Sequence, residues 1–177
     1  MKTIIVYTSQ TGFTKKYAEW IAKEFQGELI TLKEAKKKSD NYFASFDVII
    51  YGDWIMAGTI KNAKWFTDRI QSWKGKQLAL FGVGASPATD QKDIEEIFHH
   101  ALTDEQLGSV HSFYFQGGVN YDHMPLLSKL LLKAMVSSLS KKEGSMLEIL
   151  SENKDCSDKA FIEPMIACLK REAEARN

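Results

Sequence analysis

Thr3-Ile4-Ile5-Val6-Tyr7-Thr8-Ser9-Gln10-Thr11-Gly12-Phe13-Thr14 joins a short β-rich apolar run to a hydroxyl-rich turn. A run such as Thr3–Tyr7, with no polar alternation, suits a strand covered on both faces, as in a parallel sheet. Beyond the turn, Tyr17, Ile21 and Phe25 recur at helical spacing with Ala18 and Ala22 beside them. Gly27 is placed to end that helix. The chain thus opens as strand, tight turn, helix.

The same alternation continues outward from this unit. Glu28–Leu32 reads as a second, weaker strand and Phe46–Tyr51 as a third, central one. Ile60, Ala63, Phe66, Ile70 and Trp73 form a helical stripe. Gln77–Val83 is a fourth strand. Asp90 opens a further helix, with Asp93 at the capping position and Ile94, Ile97, Phe98 and Ala101 inward. Val110–Phe115 is a fifth strand, and the remainder reads as helical. Five strand–helix alternations predict a parallel sheet with helices on both faces. No repeat or linker interrupts them, so residues 1–177 are expected to form a single domain with a helical C-terminal extension over about 122–177.

Composition narrows the classes of function. Lys plus Arg and Asp plus Glu number 23 each, and hydrophobic residues make up 44% of the 177. That is enough apolar material for a core, and a zero formal charge gives no field toward nucleic acid. Lys36-Lys37-Lys38 reads as a solvated helix end or loop. Cys156 and Cys168 form neither a C-x-x-C pair nor a disulfide framework, and read as reduced thiols of a cytoplasmic protein. Met1-Lys2 runs directly into the first strand, without a signal-peptide pattern. No apolar run reaches the ~20 residues of a membrane span. His99, His100, His111 and His123 lack ligand spacing and read as helix-surface or loop residues, so no metal is expected.

In parallel sheets of this kind ligands gather at the carboxyl ends of the strands. Ser9, Gln10, Thr11 and Thr14 place three hydroxyls and an amide in six residues there, with Gly12 allowing a tight backbone. The turn ends on a helix N-terminus, whose free N–H groups and dipole favour an anion. No Lys or Arg precedes Lys15, so hydroxyls and amides would hold a phosphate alone. An ordinary Ser/Thr-rich cap accounts for the same residues. The P-loop and G-x-G-x-x-G patterns are absent. A phosphorylatable receiver needs acids after the first strand, where Tyr7-Thr8-Ser9 stands, so Asp53 alone does not make one.

Thr8-Ser9-Gln10-Thr11-Gly12-Phe13-Thr14 resembles the phosphate loop of flavodoxins, roughly T/S-x-T-G-x-T after the first strand. The resemblance covers most of the chain. It implies a flavodoxin-like doubly wound sheet of order 2-1-3-4-5 and non-covalent FMN as cofactor. Gly52-Asp53-Trp54-Ile55-Met56-Ala57-Gly58 occupies the place where flavodoxins wrap the isoalloxazine, and Gly84-Ala85-Ser86-Pro87-Ala88 the second flavin-contacting place. The implied cofactor residues are therefore Ser9 to Thr14 (Phe13 included), Asp53 to Gly58, and Gly84, Ala85, Ser86 and Pro87. Trp54 is the best-placed aromatic to stack on the ring, and Met56 is equally a flavin contact or a packing residue. Phe115-Gln116-Gly117-Gly118-Val119-Asn120-Tyr121 is similar to a narrower branch that contains menaquinone-dependent protoporphyrinogen oxidases, which adds Gly117 and Gly118, and Tyr121 is the second aromatic candidate to stack on the ring after Trp54. That branch typically carries a Ser-Pro-Ile-type segment where this chain has Asp53-Trp54-Ile55.

Three roles fit this reading: an FMN oxidoreductase acting on a quinone or porphyrinogen-like substrate, a flavodoxin-type electron carrier serving a redox partner protein, and a flavin-free interaction module. The flavin would carry the redox chemistry, so no acid–base residue is required. In Leu126–Leu139, Lys129, Lys133, Ser137 and Ser140 form a polar stripe opposite Leu127, Leu130, Leu131, Ala134 and Met135. A core helix, a homodimer face, a quinone site and a peripheral membrane contact all remain open for it. Phe161, Ile162, Met165, Ile166 and Leu169 mark a packed final helix.

Overall fold

The computed structural model of the chain describes residues 1–138, 150 and 152–175. Five parallel strands make the central sheet: β1 (Thr3–Tyr7), β2 (Glu28–Thr31), β3 (Val48–Met56), β5 (Gln77–Gly84) and β6 (His111–Gln116), in the order β2-β1-β3-β5-β6. Short β4 (Thr59–Ile60) pairs antiparallel with the end of β3. Counted without β4, this is the expected 2-1-3-4-5 order.

Register explains why the central strands carry continuous apolar runs. Ile5 pairs with Ile50 and Ile50 with Ala79, so successive residues point to opposite faces in step across the sheet. Ile4, Val6, Ile49, Tyr51, Leu78 and Leu80 face one layer. There they meet Leu32 of α2 (Leu32–Ala35), Phe43 of α3 (Asp40–Ala44), Phe66 of α4 (Ala63–Thr67) and Ile97 of α5 (Gln91–Ala101). Ile5, Val48, Ile50, Ala79 and Phe81 face the other. There they meet Tyr17 and Ile21 of α1 (Phe13–Phe25), and Met165 and Leu169 of the C-terminal helix Glu163–Ala175. Each such Val, Leu, Ile, Phe or Met side chain, fully buried, contributes ~1.5–3 kcal/mol over exposure.

Several expectations are corrected. The third strand does not stop at Tyr51 but runs through Trp54 to Met56 and returns as β4. Ala57 and Gly58 make the turn at φ +50° and +71°, the left-handed pair of a tight hairpin. The helical stripe from Ile60 to Trp73 is split among β4, α4 and a 3-10 turn at Ile70–Trp73, although every residue of the stripe is buried. Gln26, not Gly27, holds the left-handed position that ends α1. Gly27 lets the chain pass close to β1, since a Cβ there would lie 2.7 Å from Ile5 Cδ1 and 3.0 Å from the Thr3 carbonyl oxygen. Asp90 flanks α5 without a side-chain cap bond, whereas Thr31 with Glu34 and Thr103 with Gln106 form capping boxes, the latter opening α6 (Asp104–Leu107).

The C-terminal extension is not wholly helical. β7 (Gly118–Val119) pairs antiparallel with β8 (Lys154–Asp155), ahead of α7 (Leu126–Ser138) in one direction and of the last helix, α8 (Glu163–Ala175), in the other. α7 is not a core helix: Leu126, Leu127 and Leu130 are 75%, 69% and 57% exposed. Ser140 and Leu139 of the predicted stripe lie outside the described residues.

Candidate functional site

A cavity of about 710 Å³ opens at the carboxyl ends of β1, β3 and β5. Three segments of chain reach it because parallel strands deliver all their following turns to one edge. The turn after β1 brings Gln10, Thr11, Phe13 and Thr14; the β3–β4 hairpin brings Trp54, Ile55, Met56, Ala57 and Gly58; the end of β5 brings Gly84, Ala85 and Ser86. Gly118 closes a fourth side.

The β1 turn is built to leave donors unused. Gly12, at φ +102°, sits at the N-cap of α1, and no side chain among the described residues caps the helix. Its own amide donates to Ser9 Oγ at 3.1 Å, so Ser9 braces the turn rather than lining the cavity. A Cβ on Gly12 would meet no atom within 4 Å. No protein partner is seen for the Thr11 and Thr14 hydroxyls among the described residues. Gln10 Nε2 donates to Ser128 Oγ at 3.3 Å, which ties α7 to the turn. The two cations that follow the turn in sequence are engaged elsewhere: Lys15 pairs with Glu19, and Lys16 Nζ donates to Asp155 Oδ2 at 2.9 Å and Ser157 Oγ at 2.7 Å. Two hydroxyls, one amide side chain and first-turn N–H groups form a donor set that fits a phosphate monoester held without a cation.

Asp53 is fully buried and does not line the cavity. Its Oδ2 accepts from Tyr51 Oη at 2.7 Å and from both Asn62 N and Asn62 Nδ2 at 3.0 Å, and its Oδ1 accepts from Trp54 N at 2.8 Å. Burial pushes its carboxyl above the ordinary value, against the pull of those four bonds. Asp53 therefore fastens the end of β3 to the corner before α4 and holds the hairpin that walls the cavity. Trp54 lines the cavity, with Lys61 Nζ 5.8 Å from its ring centroid.

Other predicted residues lie beside the cavity. A Cβ on Gly117 would meet Val83 Cγ1 at 2.8 Å and Phe13 Cβ at 3.1 Å, so this glycine lets the chain cross over the turn. The Pro87 carbonyl accepts from Asp90 N at 3.2 Å. Tyr121 does not line the cavity: its hydroxyl donates to the Leu150 carbonyl at 2.6 Å and its amide to Asn153 Oδ1 at 2.6 Å.

The residues missed from sequence lie on two further walls. Asp93, Glu96 and His100 present one face of α5, and Val119, Met124, Leu131, Leu132 and Leu150 make an apolar wall. The i, i+3, i+7 spacing of the α5 trio was a readable signal, since Ile94 and Ile97 beside them point to the core. Tyr114 also lines the cavity; its hydroxyl donates to the Ser86 carbonyl at 2.6 Å, and burial raises its phenol above the ordinary value. His111 is not a loop or helix-surface residue but the first residue of β6. Among the described residues no group of three or more His, Cys, Asp or Glu is placed to hold a metal, and no helix is long and apolar enough to cross a membrane.

The flavodoxin domain family matches residues 4–145 of this chain. The chain belongs to the flavodoxin domain family. One curated relative is the flavodoxin-like domain-containing protein BilS of Clostridioides difficile (strain CD3), 36% identical over 90 residues. Those residues are 49% of this chain and 49% of the relative, so this flavodoxin-domain protein matches about half the length of BilS. Among solved structures, oxidised flavodoxin 2 from Bacillus cereus is similar at 20% identity and a TM-score of 0.47, covering 66% of this chain and 84% of that one. A flavoprotein in complex with FMN from Lactobacillus acidophilus NCFM is similar at 21% identity and a TM-score of 0.45, covering 65% and 91%.

Proposed function

We propose that this flavodoxin-domain protein holds FMN in the carboxyl-edge cavity and serves as an oxidoreductase acting on a quinone or porphyrinogen-like substrate, the quinone as electron acceptor or the porphyrinogen as electron donor. The observation that carries the reading is the meeting of an uncapped, hydroxyl-rich helix N-terminus with an aromatic-walled cavity at the same sheet edge. Thr11, Thr14 and the first-turn amides of α1 would hold the phosphate, with Gln10 beside them. Trp54 to Gly58 and Gly84 to Ser86 would flank the flat ring. FMN, when bound, supplies one- and two-electron redox chemistry at a single ring.

The chain's own residues then orient and exclude water. Asp53 keeps the hairpin wall in place, and Gly12 lets the backbone reach the anion without a side chain in the way. The apolar wall of Val119, Met124, Leu131 and Leu132 favours an acceptor with a large apolar body over a small ion. This wall favours an oxidoreductase with its own substrate over a carrier that docks only on other proteins.

The test is direct. Protein purified under native conditions is heated and the released chromophore identified by mass. FMN is expected; FAD alone, or no flavin bound at micromolar concentration, overturns the reading. Oxidation of the reduced holoprotein by menaquinone faster than by an equal concentration of a hydrophilic one-electron acceptor supports the apolar-acceptor assignment, and the reverse order refutes it.

A further inference from the structure

At the opposite edge of the sheet, where β5 and β6 begin, a second group of chemically capable side chains comes together outside the cavity. His111 starts β6, Gln77 starts β5, and Cys168 and Glu172 stand one turn apart on α8. Cys168 Sγ lies 3.6 Å from His111 Nδ1. His111 Nε2 lies 2.9 Å from Glu172 Oε2. Gln77 Nε2 donates to the same Glu172 oxygen at 2.9 Å and to the Leu169 carbonyl at 3.3 Å.

For a neutral imidazole beside an ionised Glu172, chemistry fixes the tautomer. An ionised carboxylate only accepts, so the hydrogen belongs on His111 Nε2. Nδ1 is left with its lone pair facing the thiol, as a nucleophile–base pair oriented by a third group requires. Gln77 is 3% exposed, and its Oε1 has no partner among the described residues. Its amide is turned to serve Glu172 and Leu169 at the expense of that buried oxygen. His111 and Glu172 side chains are each 35% exposed, and Cys168 is half-buried, so a small reagent reaches the group.

We propose that Cys168 is an activated thiol and a site of covalent modification by low-molecular-weight disulfides, with His111 as its proton acceptor and Glu172 positioning the imidazole. As Sγ attacks one sulfur of the disulfide, its proton passes to Nδ1. The new Sγ–S bond forms while the S–S bond of the reagent breaks, and the departing thiolate takes the proton from the imidazolium. Cys168 is oxidised and the reagent reduced by the same electron pair. Cys156, of similar exposure, has no imidazole partner among the described residues and serves as an internal standard.

The full chain is incubated with oxidised glutathione at neutral pH and followed by intact mass and peptide mapping. One adduct is expected first, on Cys168, at least about tenfold faster than on Cys156. That is below the ~10²–10⁴-fold of positioned proton transfer, because thiols ionise in part unaided. Cys168→Ser abolishes the fast adduct. His111→Ala slows it to the rate of Cys156, and added imidazole restores part of the rate. Glu172→Gln slows it severalfold but has no further effect in the His111→Ala background, which a merely structural role would not produce. Equal rates at the two cysteines, or a folded His111→Ala variant reacting at the wild-type rate, overturn the proposal. If His111→Ala does not fold, a wild-type rate in Glu172→Gln overturns it equally.

Discussion

Asp53→Ala removes a fully buried side chain that accepts from four donors. The Tyr51 hydroxyl is the most exposed to this loss energetically, since Tyr51 has no solvent access and the Asn62 carbonyl, at 3.4 Å, is a distant alternative acceptor. A buried donor left without a partner costs ~1–3 kcal/mol. The space vacated by a carboxylate admits about one water, which re-satisfies about two of the four donors. Two unmet donors and the loss of a buried charged acceptor give ~3–5 kcal/mol. Asp53→Asn is not conservative here. Its Oδ1 still serves Trp54 N, but an NH₂ group replaces the oxygen that faces Tyr51 Oη, Asn62 N and Asn62 Nδ2, so ~2–4 kcal/mol is expected. Urea unfolding of the flavin-free protein, followed by circular dichroism with an unchanged m-value, measures both. The same loss lowers the melting midpoint by roughly 6–20 °C for a chain of this size. Both variants within about 0.5 kcal/mol of wild type would falsify the view of Asp53 as the fastening of the hairpin.

Thr11→Ala and Thr14→Ala should each weaken FMN much more than riboflavin, by ~1.5–3 kcal/mol for a hydrogen bond to a charged group; equal losses for the two ligands in a calorimetric titration would remove the turn as the phosphate site. Trp54→Ala should loosen FMN about tenfold and relieve quenching of its fluorescence, from a stacking contribution of ~0.5–1.5 kcal/mol beyond area burial. Trp20→Ala, at a residue that does not line the cavity, should change neither flavin readout. Partial burial pushes the Asp155 carboxyl up, but the bonds from Ser157 and Lys16 outweigh it and hold the carboxyl below its ordinary value. Its stabilising effect is therefore complete above the unfolded-state value near ~3.9 and is lost as pH falls through the lower folded-state value. Unfolding midpoints measured from pH 5 to pH 2 should fall less steeply for Asp155→Asn than for wild type, and parallel curves would refute the assignment.

The parts of the fold that were legible are those in which one physical demand acts along a continuous stretch. A strand covered on both faces must be apolar at every position, and Ile4-Ile5-Val6 and Val48-Ile49-Ile50-Tyr51 are. The turn between β1 and α1 was legible for the same reason: hydroxyls, a glycine and a helix start lie within a few residues. The hairpin at Ala57-Gly58 was not. Alanine is disfavoured at φ +50°, so no local preference announces the turn; it is imposed by Asp53 gripping Asn62 and by Ile55 and Ile60 packing over Gly82, where a Cβ would meet Ile55 Cδ1 at 2.7 Å. The pairing of β7 with β8 depends on Gly118, where a Cβ would sit 2.0 Å from the Lys154 carbonyl oxygen, a contact between positions far apart in the chain.

The division of labour at the site follows the same line. Thr11, Thr14 and Trp54 were read as facing a ligand because their chemistry matches it, and they line the cavity. Asp53 has equally suitable chemistry, but a carboxylate at a strand end serves either a ligand or the backbone, and only the tertiary structure decides which. With Tyr51 and Asn62 both donating to it, Asp53 is committed to the scaffold. Asp53 thus acts on the cavity indirectly, through the position of Trp54, whose amide it holds at 2.8 Å. Substituting Asp53 should therefore disturb flavin binding and stability together, whereas substituting Trp54 should disturb flavin binding alone. The cluster of Cys168, His111 and Glu172 marks the far limit of what local reading reaches: its members are separated by up to 61 residues and meet only because β6 and α8 pack side by side.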